Sequence, residues 1–99
     1  VRVIAKGTLK DFWSVNEYRD SEQPLKSWYQ EARQANWSNH NEVKVQYVNA
    51  SILRYGRVVF NIAGNKYRLV VRINYDYKFV YIRFIGTHSE YDKIDAEKI

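Results

Sequence analysis

A chain of 99 residues supports one hydrophobic core and one domain, here spanning residues 1–99. Its composition, 45% hydrophobic and 16% aromatic, excludes a disordered segment, and the lack of cysteine excludes disulfides and thiolate metal sites and fits a cytoplasmic address. Sixteen Lys and Arg against eleven Asp and Glu give a net charge of +5, which favours a phosphate-bearing or acidic partner, and no apolar run is long enough to span a membrane.

The elements follow in chain order. Val1, Val3 and Ala5 alternate with Arg2, Ile4 and Lys6 as in a strand, which Gly7 punctuates. Thr8 is expected to cap a helix whose Leu9, Phe12 and Trp13 recur at i, i+3 and i+4 and which runs to near Tyr18. Asp20 with Gln23 matches a capping box, and Pro24 fits the first turn of a second helix. Leu25, Trp28, Tyr29 and Ala32 give that helix one apolar face, Trp37 closes the segment, and the two helices are expected to pair as a hairpin. Residues 38–56 are rich in Asn and Ser; Val43, Tyr47 and Ala50 fit a short helix over 41–48.

From Arg57 the period changes to two. Val58, Phe60 and Ile62 share one face of a strand, and Gly64-Asn65 reads as a two-residue hairpin turn. Tyr67, Leu69, Val71 and Ile73 then alternate with Arg68, Val70, Arg72 and Asn74, a second turn falls near Asp76-Tyr77, and a last strand over 79–85 sets Val80, Ile82 and Phe84 against Phe79, Tyr81 and Arg83. The expected fold is α+β: an N-terminal strand, a two-helix hairpin and a three-stranded antiparallel meander, with helices on one sheet face and a short C-terminal helix. Within residues 57–88, six cations face Asp76 alone, and Arg57, Asn61, Arg68, Arg72 and Arg83 fall on the polar side of their strands. An open basic face follows, on which these guanidinium groups are expected to converge beside His88.

THSE at 87–90 matches the pattern in which Thr87 caps a helix and Glu90 returns the bond. Capping is compatible with chemistry. A helix start there holds His88 and Tyr91 at the end of the last strand, and an imidazole among arginines offers proton transfer next to positive charge, as a phosphodiester reaction requires. His40, in a polar loop, reads as an ordinary surface residue. His88, Glu90, Asp92 and Asp95 lack the spacing of zinc helices or calcium loops, Ser89 lies in no G-x-S-x-G turn, and the four glycines form no phosphate loop, so neither metal nor cofactor is expected.

RVVFNIAGNKYRLVVRINYD and FIGTHSEYDKID, together with RVIAKGTLKDFW and QPLKSWYQEA, resemble the HigB family of toxin–antitoxin toxins. The resemblance covers nearly the whole chain and is loosest over 38–56. It implies a RelE-like fold and an endoribonuclease, an mRNA interferase, that cuts messenger RNA on the translating ribosome and is neutralised by a helix-turn-helix, HigA-like antitoxin. It further implies a metal-independent reaction in which the substrate 2′-hydroxyl attacks the adjacent phosphate. Carried onto this chain, Arg68, Arg72 and Arg83 would clamp the phosphate with help from Lys66, His88 would be general base or acid, and Tyr91 its partner or a stacking platform. Asp92 would orient His88. Arg57, Asn61 and Tyr81 would bind flanking RNA. Two rival readings of the residues are a non-catalytic RNA-binding module and a groove for an acidic peptide. Arg68 pairing with Glu90 or Asp92 would give that arginine a purely structural role.

Overall fold

Five strands and four helices are found in a computed structural model describing residues 1–99. β3 (Arg57–Ile62), β4 (Tyr67–Asn74) and β5 (Phe79–Thr87) form the antiparallel meander that the alternation predicts. Two short strands extend it. β1 (Arg2–Ile4) runs parallel to β5, β2 (Ser51–Ile52) pairs antiparallel with β3, and the order across the sheet is β1-β5-β4-β3-β2. The α+β class stands; the sheet is mixed and wider than the meander alone.

Registry assigns the faces. Val58 lies opposite Val71, Phe60 opposite Leu69 and Ile62 opposite Tyr67, so these residues share one face, and all are buried. Against them pack Leu9 and Trp13 of α1 (Lys6–Trp13) and Leu25, Trp28 and Ala32 of α2 (Glu22–Gln34). Full burial of such side chains contributes about 1.5–3 kcal/mol each, which is why the stripe at i, i+3 and i+4 dictates how each helix lies.

Several boundaries differ from expectation, each for a local reason. α1 starts at Lys6, with Gly7 inside its first turn and Ala5 rather than Thr8 at the cap, and stops at Trp13. Residues Asn16–Ser21 form a 3₁₀ turn, tied by a bond of 2.6 Å from the Ser21 hydroxyl to the Tyr18 carbonyl. The Asp20 box does not form, because the Asp20 carboxylate is held by Lys66 and by the Tyr67 hydroxyl, the latter at 2.5 Å. α3 (His40–Gln46) fills the expected region and is capped by Asn39, whose side chain accepts from the Glu42 N–H at 3.1 Å. The connection from β3 to β4 has four residues, since Ile62 pairs with Tyr67, and both Ala63 and Gly64 take positive φ, 54° and 68°. Glycine suits the second of these positions.

β5 carries the most consequential departure. Val70 faces Phe84 and Val71 faces Ile82, which leaves Arg83 unpaired in a β-bulge. The extra residue shifts the alternation, so Phe84 lies on the face opposite Val80 and Ile82, contrary to simple parity. There it joins Val59 and Val70 beneath Ala96, with Tyr91, Ile94 and Ile99 around them. Residues 92–99 thus cover the middle of the face that the sequence suggested would be open.

Candidate active site

Strand β5 delivers the chemistry at its end. Thr87 closes a complete capping box on α4 (His88–Tyr91): its hydroxyl accepts from the Glu90 N–H at 3.2 Å, and the Glu90 carboxylate accepts from the Thr87 N–H at 2.8 Å. That reciprocal pair fixes the first turn. His88 is its first residue, and Asp92, one turn on, places Oδ2 3.2 Å from His88 Nδ1. An Nδ1–H donated to a carboxylate leaves Nε2 as the atom presented to a reactant. Both side chains are more than half exposed, so the pair orients the ring in contact with solvent rather than in a sealed pocket. No third metal-ligating side chain joins them.

Arg68 sits on the neighbouring strand, level with the end of β5. It lies directly opposite Gly86, two residues before His88, and opposite Asn61 on its other side. Its Nη1 donates to the carbonyls of Asn65 at 2.9 Å and Tyr67 at 3.4 Å, which anchors the guanidinium and leaves Nε and Nη2 without a protein acceptor. The structural alternative for Arg68 is not found. Glu90 belongs to the cap and Asp92 to His88, and none of Arg68, Arg72 and Arg83 pairs with a carboxylate. The Phe84 ring and the Glu90 carboxylate close over Gly86: a Cβ there would sit 2.6 Å from the ring and 2.9 Å from Glu90 Oε1.

Asn61 stays beside Arg68, whereas Arg57, Arg72 and Tyr81 do not converge on this corner. Arg57, Arg72 and Tyr81 form a second row across three strands, four residues along β4 from Arg68 and so about 13 Å away. Val59, Val70 and Phe84, under Ala96, separate the two rows. Arg57 is further committed to the C-terminal segment, donating from Nε and Nη2 to the Ile99 main-chain oxygen at 3.1 and 2.5 Å and from Nη1 to the Tyr55 carbonyl at 2.9 Å. Lys66 is paired with Asp20, whose carboxyl the Lys66 ammonium, and next the Tyr67 hydroxyl, hold below the usual carboxylate range. Arg83, exposed on its bulge, stands between the rows. Tyr91, the last residue of α4, is half-buried against the Val59, Val70 and Ala96 cluster.

Sequence reading missed two components. One is the 92–99 segment, whose Ile94, Ala96 and Ile99 contact the face at irregular spacing. The other is the bulge, which no local pattern marks, since consecutive apolar residues such as Val58-Val59-Phe60 also occur in regular register.

Two comparisons with known proteins extend over most of the chain. A family model described as HigB_toxin, RelE-like toxic component of a toxin-antitoxin system, matches residues 21–94. The chain is also similar to the mRNA interferase HigB of Escherichia coli O6:H1 (strain CFT073), with 24% identity over 96 residues that cover 95% of this chain and 91% of that protein.

Proposed function

Because the chain belongs to the HigB toxin family, the RelE-like toxic components of toxin–antitoxin systems, we propose that it is an endoribonuclease whose reacting groups lie where β5 passes into α4. The observation that carries this reading is the His88–Asp92 pair, held by the Thr87–Glu90 cap one step beyond the residue that faces Arg68. The substrate is messenger RNA on the translating ribosome, and the neutralising partner is a helix-turn-helix antitoxin of the HigA kind.

The reaction follows from the groups present. The 2′-hydroxyl oxygen of one nucleotide forms a bond to the adjacent phosphorus while the bond from phosphorus to the 5′-oxygen breaks, giving a 2′,3′-cyclic phosphate and a 5′-hydroxyl. A proton leaves the attacking hydroxyl and one reaches the departing oxygen; His88 Nε2 serves one of these transfers, and general acid–base catalysis of this kind contributes roughly 10²–10⁴-fold. Asp92 keeps the ring in the required tautomer and orientation. Arg68, with two donor edges free, offsets charge on the equatorial phosphate oxygens, and losing such a donor costs about 10²–10³-fold. Arg83 adds charge from the bulge, and Arg72 and Tyr81 bind RNA beyond the cleavage point. Arg57 and Lys66 act through the fold that carries them.

Induction of the intact chain and of its His88→Ala and Arg68→Ala forms in a bacterium, followed by mapping of message 5′ ends, tests the proposal. The intact chain is expected to arrest growth and create new 5′-hydroxyl ends that both variants lose. Cuts that persist unchanged in His88→Ala would remove the imidazole from the mechanism, and unaffected growth with uncut messages would remove the nuclease.

A further inference from the structure

The outer side of the helical layer, across the sheet from Arg68 and His88, carries a second concentration of positive charge. α1 and α2 enclose a groove of about 480 Å³. Its floor is Leu9 and the rings of Trp13 and Tyr29, and its rims are Lys6 and Lys10 from α1 and Lys26 and Arg33 from α2. The spacing explains the rows: Lys6 and Lys10 lie one turn apart on one helix face, and Lys26, Tyr29 and Arg33 follow i, i+3, i+7 on the other.

Four cations gathered in one groove repel one another, and only one has a carboxylate. Lys26 Nζ lies 2.5 Å from Glu22 Oε2, whereas Lys6, Lys10 and Arg33 pair with no acid. Aromatic faces hold three of the cations in place. Lys6 Nζ stands 4.8 Å from the Tyr29 ring centre, the Arg33 guanidinium 5.6 Å from the same ring, and Lys26 Nζ 5.5 Å from the Trp13 ring. A trough with fixed, uncompensated cations on both rims and aromatic rings below is organised for a polyanion before that polyanion arrives.

We infer that this groove binds the phosphodiester backbone of RNA, as a site separate from the catalytic corner. The choice of RNA among polyanions rests on the endoribonuclease reading, and it agrees with a groove whose cations are held in place by the Tyr29 and Trp13 rings. Lys6, Lys10 and Arg33 contact phosphate oxygens, and Lys26 joins them by exchanging Glu22 for phosphate. The site adds affinity without base readout, because nothing along its rims discriminates base edges.

The test uses the full chain and 2′-O-methylated RNA, which lacks the attacking hydroxyl and stays intact whatever the catalytic corner does. Binding of a single-stranded dodecamer and of a hairpin is followed by fluorescence anisotropy at several salt concentrations, for the intact chain, a Lys10→Gln/Arg33→Gln double variant and Tyr29→Leu. The double variant is expected to bind at least about tenfold more weakly and to flatten the slope of log affinity against log salt by about 1.4 units, the release associated with two single-strand phosphate contacts. Preference for the dodecamer identifies message as the source of the phosphates; preference for the hairpin identifies folded ribosomal RNA. Unchanged affinity and slope in a double variant with the native circular dichroism spectrum overturns the inference, as does tighter binding of a glutamate-rich peptide than of either RNA. The two proposals fail separately: uncut messages with intact groove-dependent binding refute only the nuclease, and cut messages with groove-independent binding refute only the groove.

Discussion

Replacing Gly86 with alanine presses directly on the corner where the two strands meet. A methyl group there would stand 2.6 Å from Cζ of Phe84 and 2.9 Å from Oε1 of Glu90, whereas ordinary contact begins near 3.4 Å. The ring has to retreat by most of an ångström, and it is packed against the cluster of Val59, Val70 and Ala96. Overpacking of this kind costs about 1–3 kcal/mol. For a domain of this size each kcal/mol lowers the melting temperature by about 4–8 °C, so a fall of about 5–20 °C is expected in thermal unfolding followed by circular dichroism. Relief is equally specific. Trimming the ring with Phe84→Leu in the Gly86→Ala background is expected to be less costly than the sum of the two single changes, since the residues share one contact. The glutamate that caps α4 is the second atom displaced, so His88 loses its fixed position and message cleavage falls more than stability alone explains. A melting temperature within about one degree of the parent's, or strictly additive effects of the two changes, would refute the claim that the ring and the carboxylate exclude a side chain at position 86.

Two further outcomes follow from contacts already described. Lys66 and then the Tyr67 hydroxyl lower the Asp20 pKa, so the stabilisation from this group is present above the ordinary carboxylate value of about 4 and is lost as pH falls through the lower folded-state value. Asp20→Asn is therefore expected to have a urea midpoint that changes less than the parent's between neutral and strongly acidic pH, and parallel acid profiles would count against the contact. Thr87→Ala removes the hydroxyl that accepts from the Glu90 N–H and is expected to cost about 1 kcal/mol in urea unfolding, with most of it restored in Thr87→Ser. An alanine variant as stable as the parent would show that the box contributes nothing.

What the sequence made legible was what depends on neighbours along the chain. The alternation from Tyr67 to Asn74 gives β4 its bounds, and T-x-x-E gives α4 its start, because one face of a strand and one turn of a helix are decided within a few residues. Asp20 shows the opposite case. Its spacing to Gln23 suits a cap, yet a lysine and a tyrosine 46 and 47 positions away claim the carboxylate. β2, with two residues, is too short to carry a period, and the parallel pairing of β1 with β5 joins the two ends of the chain. At the candidate site the same division holds. The cap sets His88 and Asp92 one turn apart, and parity puts Arg68 opposite Gly86, whereas the unpaired place of Arg83 follows from the bulge, and the cover over Val59 and Val70 from the segment 92–99.

Arg83 occupies the one position in β5 that has no partner across the ladder. Excising it would bring Ile82 and Phe84 into plain succession without turning any other side chain to the wrong face. The cation is thus grafted onto a frame that is complete without it. A chain built this way can gain, lose or exchange a charge at that point while its core stays untouched.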